Sequence, residues 1–343
     1  MKVAVIMKGV QKWAVLSLVL LAAALPIRAD WERHPLNTLA SLKDIFFLNE
    51  NRGWIVGGNG VIFSTLDGGK TWAPRDRFTT DDLVQIRFTD ADNGWILCQR
   101  NIYNIGREAI SYLRKTTDGG QTWEKIEFEG AGRERVTRLL FGKDGSGRAF
   151  GEGGIFYNLQ DDGKTWKRSH TAIHFLLLDG ALTDSSIGAL VGAGGTIMFT
   201  QDGGFTWERA TLIGDADTRL NAVYFAGSKA GAWAVGSGGK IFHSNGGARL
   251  WRQQASTVSA DLNDVTFTSA RDGWAVGESG VIVRTTDGGQ TWSDVQSPVN
   301  HSLQRIFFTG GRLWAVGFGG TVISYDPAVK HDPGFRPDLK SRG

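Results

Sequence analysis

Short apolar runs separated by turn residues set the rhythm of the chain. Leu42-Lys43-Asp44-Ile45-Phe46-Phe47 is followed by Gly53-Trp54-Ile55-Val56-Gly57, then by Gly60-Val61-Ile62-Phe63, and then by a segment opening at Trp72. Runs of this length, rich in β-branched and aromatic residues and punctuated by glycine, predict strands. The same order returns as Leu262-Asn263-Asp264-Val265-Thr266-Phe267, Gly273-Trp274-Ala275-Val276-Gly277, Gly280-Val281-Ile282-Val283 and Trp292. A unit of four strands is therefore expected: an apolar a, a Gly-Trp-x-Val-Gly b, a Gly-Val-Ile c, and a strand d beginning at the closing Trp.

The link from c to d is itself repeated. Ser64-Thr65-Leu66-Asp67-Gly68-Gly69-Lys70-Thr71-Trp72 recurs as Lys115-Thr116-Thr117-Asp118-Gly119-Gly120-Gln121-Thr122-Trp123 and as Arg284-Thr285-Thr286-Asp287-Gly288-Gly289-Gln290-Thr291-Trp292. Phe199-Thr200-Gln201-Asp202-Gly203-Gly204-Phe205-Thr206-Trp207 is a fourth good copy, and looser copies close at Trp166 and Trp251. Successive closing tryptophans from Trp72 to Trp292 are 51, 43, 41, 44 and 41 residues apart, and a period near 42 holding several short strands is that of a propeller blade. Strand b recurs seven times, with Phe150 and Leu190 standing where Trp is absent. The predicted fold is thus all-β, a seven-bladed propeller with four antiparallel strands per blade. The seventh unit lacks box and strand d, but Asp30-Trp31-Glu32-Arg33-His34-Pro35-Leu36 reads like Thr206-Trp207-Glu208-Arg209-Ala210-Thr211-Leu212. The N-terminal strand is therefore expected to complete blade 7 and close the ring, which removes exposed sheet edges. In the boxes, Asp67, Asp118, Asp161, Asp202 and Asp287 are expected to bond backbone groups within the turn, with the glycines supplying positive φ.

Composition fits this plan: forty-seven Gly and thirteen Trp suit many tight turns with bulky anchors, not a helical bundle. The formal charge of +3 would by itself admit a nucleic-acid or membrane-surface partner. The N-terminus changes that. Lys2, Lys8 and Lys12 precede an uncharged run from Trp13 to Leu25, and a small residue, Ala29, offers a cleavage point: the layout of a secretory signal over residues 1–29. The alternative is an uncleaved N-terminal membrane anchor. Cleavage after Ala29 leaves 34 basic against 35 acidic residues, a net charge of −1, so a nucleic-acid partner has no support. Residues 30–326 then form the propeller and 327–343 a Pro-containing C-terminal tail. The protein is expected to be exported, to the periplasm or a lumen-like compartment. Cys98, the single cysteine, lies in an apolar run and reads as an inert buried thiol, and the six His are scattered without metal spacing, so no metal or cofactor is expected.

Boxes of the form Ser/Thr-x-Asp-Gly-Gly-x-Thr-Trp joined to Gly-Trp-x-Val-Gly strands at this period resemble the Asp-box, or BNR, propeller family of the photosystem II stability and assembly factor. The resemblance runs from about Trp31 to Asp326. It implies a non-catalytic scaffold that helps assemble or stabilise a membrane or envelope complex, acting as a monomer on a protein partner, here a membrane or envelope protein or its precursor. Asp boxes also occur in sialidases, so a carbohydrate-binding or glycosidase-like protein is the alternative. Against it, no Arg-Ile-Pro tripeptide occurs, and Tyr is scarce. No catalytic residues are therefore assigned.

Antiparallel connectivity puts a–b turns and boxes on one rim of the ring and b–c and d–a loops on the other. On that loop face, blade 2 is expected to carry a long b–c loop from Gln99 through Leu113. Arg100, Tyr103, Arg107 and Tyr112 of that stretch, with Arg75, Arg77, Arg133, Arg135 and Arg168 of the neighbouring connectors, form a candidate partner-binding patch. The alternative is dispersed charges paired with Asp76, Asp81, Glu129 and Glu134. Aligned a strands place Asp44, Gln85, Arg138, Ala222, Asp264 and Arg305 in one column near the axis. Asp44, Arg138, Asp264 and Arg305 there are candidates either for ligand binding in a channel or for a structural ion-pair ring.

Overall fold

The computed structural model describes residues 31–327, apart from 102–105, 107, 170–173, 184–185 and 228–230. The expected signal and nearly all of the expected tail lie outside the described residues. So do Tyr103 and Arg107. Seven antiparallel sheets follow one another around a ring, each a strand packing on its two neighbours and blade 7 returning to blade 1. Blade 1 is typical: a is Leu42–Phe47, b Gly53–Gly57, c Ile62–Thr65 and d Ala73–Pro74. Strand d of blade 7 is Glu32–Arg33, pairing Glu32 with Ser324 and Arg33 with Ile323 of strand c, Val322–Tyr325. The N-terminal strand thus closes the ring. Blade 5 goes beyond four strands. The connector Thr211–Ile213 runs parallel to its outer strand, Leu250–Gln254, as a fifth.

Blades 1, 2, 4 and 6 share one box geometry, of which blade 1 is the example. The box closes on itself: the Thr65 hydroxyl donates to Asp67 Oδ1 at 2.7 Å, Gly69 N–H donates to Thr65 Oγ1 at 2.9 Å, and the Thr71 N–H and hydroxyl donate to the two Asp67 oxygens at 2.9 and 2.6 Å. In the third blade the sequence alignment is off by one. Asp162, not Asp161, accepts from the Lys164 and Thr165 amides and the Thr165 hydroxyl, because losing one Gly shortens the turn by a residue. Gly69 holds φ of 82°, and a Cβ there would collide with the indole of Trp314, a strand-b tryptophan of the preceding blade. Strand-b tryptophans meet, edge to face and between blades, the tryptophans at the start of strand d: box tryptophans Trp72 on Trp314 and Trp166 on Trp95, and the N-terminal Trp31 on Trp274, with centroids 5.5 to 5.8 Å apart. Such pairs add about 1 kcal/mol each beyond the area they bury. The Gly that ends strand b has its own reason: a Cβ on Gly57 would meet the Ser41 carbonyl, to which Gly58 N–H donates at 2.9 Å.

Candidate functional site

Two places gather the candidate residues: the axis and the loop face. At the axis, a register shift near the start of each a strand turns the column residue inward, as between Leu42 and Asp44 in blade 1 and between Leu83 and Gln85 in blade 2. These side chains clasp the next blade. Asp44 Oδ2 accepts from Ile86 N–H at 3.0 Å, Gln85 Oε1 from Leu139 N–H at 2.6 Å, Asp179 Oδ2 from Val223 N–H at 3.1 Å and Asp264 Oδ2 from Ile306 N–H at 2.9 Å. Blade 5 has Ala222 in the column and uses Asn221 instead, whose Nδ2 donates to Leu262 O at 2.8 Å.

The charges in this layer meet one another. Asp44 lies 2.6 Å from Arg87 and 3.2 Å from Arg305, Arg305 lies 3.5 Å from Asp264 and 3.9 Å from Asp179, and Asp179 lies 3.0 Å from Arg138. Three carboxylates thus face three guanidiniums in a nearly dry layer; Asp44 is 1% exposed and Arg305 3%. Burial works against the Arg305 charge, but Asp264, Asp179 and Asp44 outweigh it and raise its pKa above the ordinary arginine value. Burial, aided by the Arg305 charge, lowers that of Arg138. Two members were not singled out from sequence. Asp179 sits in the one blade whose a strand, Leu177–Leu182, carries Gly and Ala in place of bulky residues, and Arg87 lies two residues beyond the aligned column.

On the loop face, the blade 2 excursion is shorter than its sequence suggests. Strands b and c run on as a hairpin to the pairs Cys98–Tyr112 and Gln99–Ser111, and Arg100 N–H donates to Ile110 O at 2.8 Å. Tyr112 is therefore a strand residue, 2% exposed, with burial raising the pKa of its hydroxyl, which donates to Asp81 at 2.8 Å. Arg100 is buried as well, with Nε 2.9 Å from Glu108 and an NH2 group 2.5 Å from Glu127. Beside them, burial pushes the Cys98 thiol up to about 12, so it stays protonated and unreactive. The connector arginines differ in freedom. Arg75 donates to Ser64 at 2.7 Å, Arg135 lies 3.6 Å from Glu152 and Arg168 lies 3.1 Å from Glu134, so Glu134 does pair as the alternative reading expected. Arg77 is exposed, and exposed Arg133 donates to the carbonyl of Gly106 in the blade 2 loop. Among the described residues no cluster of His, Cys, Asp and Glu is built to hold a metal ion, and no helix is long and apolar enough to cross a membrane.

Seven sheets closed into a ring, with Asp boxes on one rim and charged loops on the other, define a seven-bladed Asp-box propeller. The family described as photosynthesis system II assembly factor YCF48 matches residues 24–168, 160–257 and 247–327, and the chain belongs to that family. Among its relatives, the photosystem II assembly lipoprotein Ycf48 of Synechococcus sp. (strain CC9902) is 30% identical over 149 residues, 42% of this chain and 41% of that one. The alignment therefore spans about two-fifths of that relative. The photosystem II assembly protein Ycf48 of Synechococcus sp. (strain JA-2-3B'a(2-13)) is 25% identical over 306 residues, 75% of this chain and 90% of the relative. A solved structure of YCF48 bound to a D1 peptide superposes with a TM-score of 0.72 at 25% identity, covering 89% of this chain and 99% of that one.

Proposed function

We propose that this chain is an exported, non-catalytic scaffold that holds a segment of a membrane or envelope protein, or its precursor, while a complex is assembled or stabilised. Its working surface is the loop face of blades 1 to 3, and it acts there as a monomer without nucleic acid. The observation that carries the reading is that the loop connectors of blades 1 and 2 leave two arginines exposed, Arg77 and Arg133, the latter donating to Gly106 O, on a propeller of a family in which a solved member holds a peptide. The connectors that carry these donors are anchored at both ends by strands of the closed ring, so an extended acidic segment can bind without ordering the scaffold first. The test is co-purification of membrane polypeptides with the tagged full chain, compared with an Arg77→Glu/Arg133→Glu chain. Loss of capture on reversal is expected. Undiminished capture, or hydrolysis of a neutral-pH glycoside panel by the purified protein, would overturn it.

A further inference from the structure

A cleft of about 440 Å3 opens on the loop face between blades 1 and 2. Tyr112 and Arg114 of strand c of blade 2 line it, with Lys125 of strand d, Arg100 and Glu108 of the b–c loop, and Asp81 of the connector from blade 1. Most of its charges are spoken for. Arg100 lies against Glu108 and Glu127, Lys125 lies 3.0 Å from Glu127, and Asp81 accepts from the hydroxyls of Tyr112 and Thr79.

Arg114 is the exception. One NH1 hydrogen goes to Trp123 O at 3.2 Å and the guanidinium lies 4.9 Å from the Phe78 ring centroid. Its Nε is buried with no hydrogen-bond partner, and no ion pair to it occurs among the described residues. Arginine does not shed its proton to escape such a position. A buried N–H without an acceptor is costly, and an anion entering the cleft supplies the acceptor. The kind of anion is indicated by the cleft itself, because the loop already seats a carboxylate there: Glu108, 61% exposed, lies 2.9 Å from Arg100 Nε.

We propose that this cleft is a carboxylate-binding subsite in which Arg114 holds an acidic side chain of an extended segment, with Glu108 as a resident carboxylate that competes for Arg100. The protein source of the ligand rests on the scaffold reading above; the subsite chemistry does not. The planar guanidinium, flanked by Phe78 and Tyr112, can engage one carboxylate through Nε and an NH2 group.

The test uses the full chain labelled with 15N-arginine and two small probes, N-acetyl-glutamyl amide and its uncharged glutaminyl counterpart. The Arg114 Nε–H signal is assigned by its disappearance in Arg114→Lys. It should shift saturably with the glutamyl probe and stay put with the glutaminyl one. Half-saturation read on the remaining signals should rise at least about tenfold in Arg114→Lys, and should fall about threefold in Glu108→Gln, which frees Arg100. Should Arg114→Lys not fold, the Glu108→Gln chain and the parent decide between them. No shift with the glutamyl probe, or equal shifts with both, overturns the subsite. If the probe binds while capture of membrane polypeptides ignores Arg77 and Arg133, the subsite stands and the partner reading falls; the reverse pattern sinks the subsite alone.

Discussion

Replacing Asp44 by Ala removes one carboxylate from a layer in which every charge leans on another. In the parent, its two oxygens accept from Ile86 N–H at 3.0 Å, Arg87 at 2.6 Å and Arg305 at 3.2 Å, in a site only 1% exposed. The substitution leaves Arg87, 4% exposed, without its carboxylate and an amide of blade 2 without its acceptor. Stripping one partner from a buried pair costs about 3–5 kcal/mol. Arg305 keeps Asp264 at 3.5 Å, which argues for the middle of that range, about 4 kcal/mol. A folded chain of about 300 residues has an unfolding entropy of about 0.6 kcal/mol/K, so cooperative melting should move down by about 6 °C. Scanning calorimetry measures it. Adding Arg87→Met removes the stranded cation and should recover part of the loss, because the two sites are coupled. A single variant that melts within about 1 °C of the parent, or a double variant no better than the single, would refute the reasoning.

Deleting residues 31–36 unpairs the edge of Val322–Tyr325 and removes Trp31 from its edge-to-face contact with Trp274, so the shortened chain should lose its sharp melting transition; calorimetry that matched the parent would contradict ring closure as a stability device. The box carboxylates should shape acid stability. Thr71 holds Asp67 at about 2, and at Asp202 and Asp287 burial opposes the charge but the hydrogen bonds of Thr206 and Thr291 still bring it to about 2. Folded values lie below unfolded ones, so this stability is present above about pH 4 and lost as pH falls toward 2. Melting temperature should therefore drop over that window, less steeply in Asp67→Asn; an equal slope would remove the box from the explanation. His34 should act higher on the scale. Burial lowers its pKa, so its neutral ring supports the closing strand above about pH 6.5 and less so below. Exchange protection of the His34 amide, which donates to Val322 O at 2.9 Å, should fall between pH 7.5 and 5.5 after correction for intrinsic rates, and should not in His34→Phe.

Sequence alone reached the architecture because the blades are repeats. One Trp-x-Val-Gly strand is ambiguous, but seven related b strands at a near-constant period, four of them Trp-x-Val-Gly, fix the phase of everything between them. The closing strand was legible for the same reason, since Trp31-Glu32-Arg33 copies Trp207-Glu208-Arg209. The candidate site was less legible where residues leave the repeat. Tyr112 looked like part of a loop because hairpin length is set by pairing, which carries no residue signature of its own. Asp162 replaced Asp161 because a turn shortened by one residue re-aims the carboxylate. Arg87 belongs to the axial network through length and direction of side chain, neither of which periodicity reports. Burial of Arg100 was hidden too, since the return of the loop that seats Glu108 on it, and the partner Glu127 just after strand d, are set by pairing and not by the local residues.

The strand that closes the ring also sets an order of events. His34 meets Ser324 across 290 residues of chain, so a strand synthesised early waits for a partner made much later. Until blade 7 exists, that segment has no sheet to join, and the six complete blades stand as an open arc whose final seam forms late. Two exposed residues, Glu32 and Arg33, are all that the seam contributes as strand. A waiting edge so short and so charged is a poor template for pairing with another molecule, and the chain can hold it in reserve until its own last blade arrives.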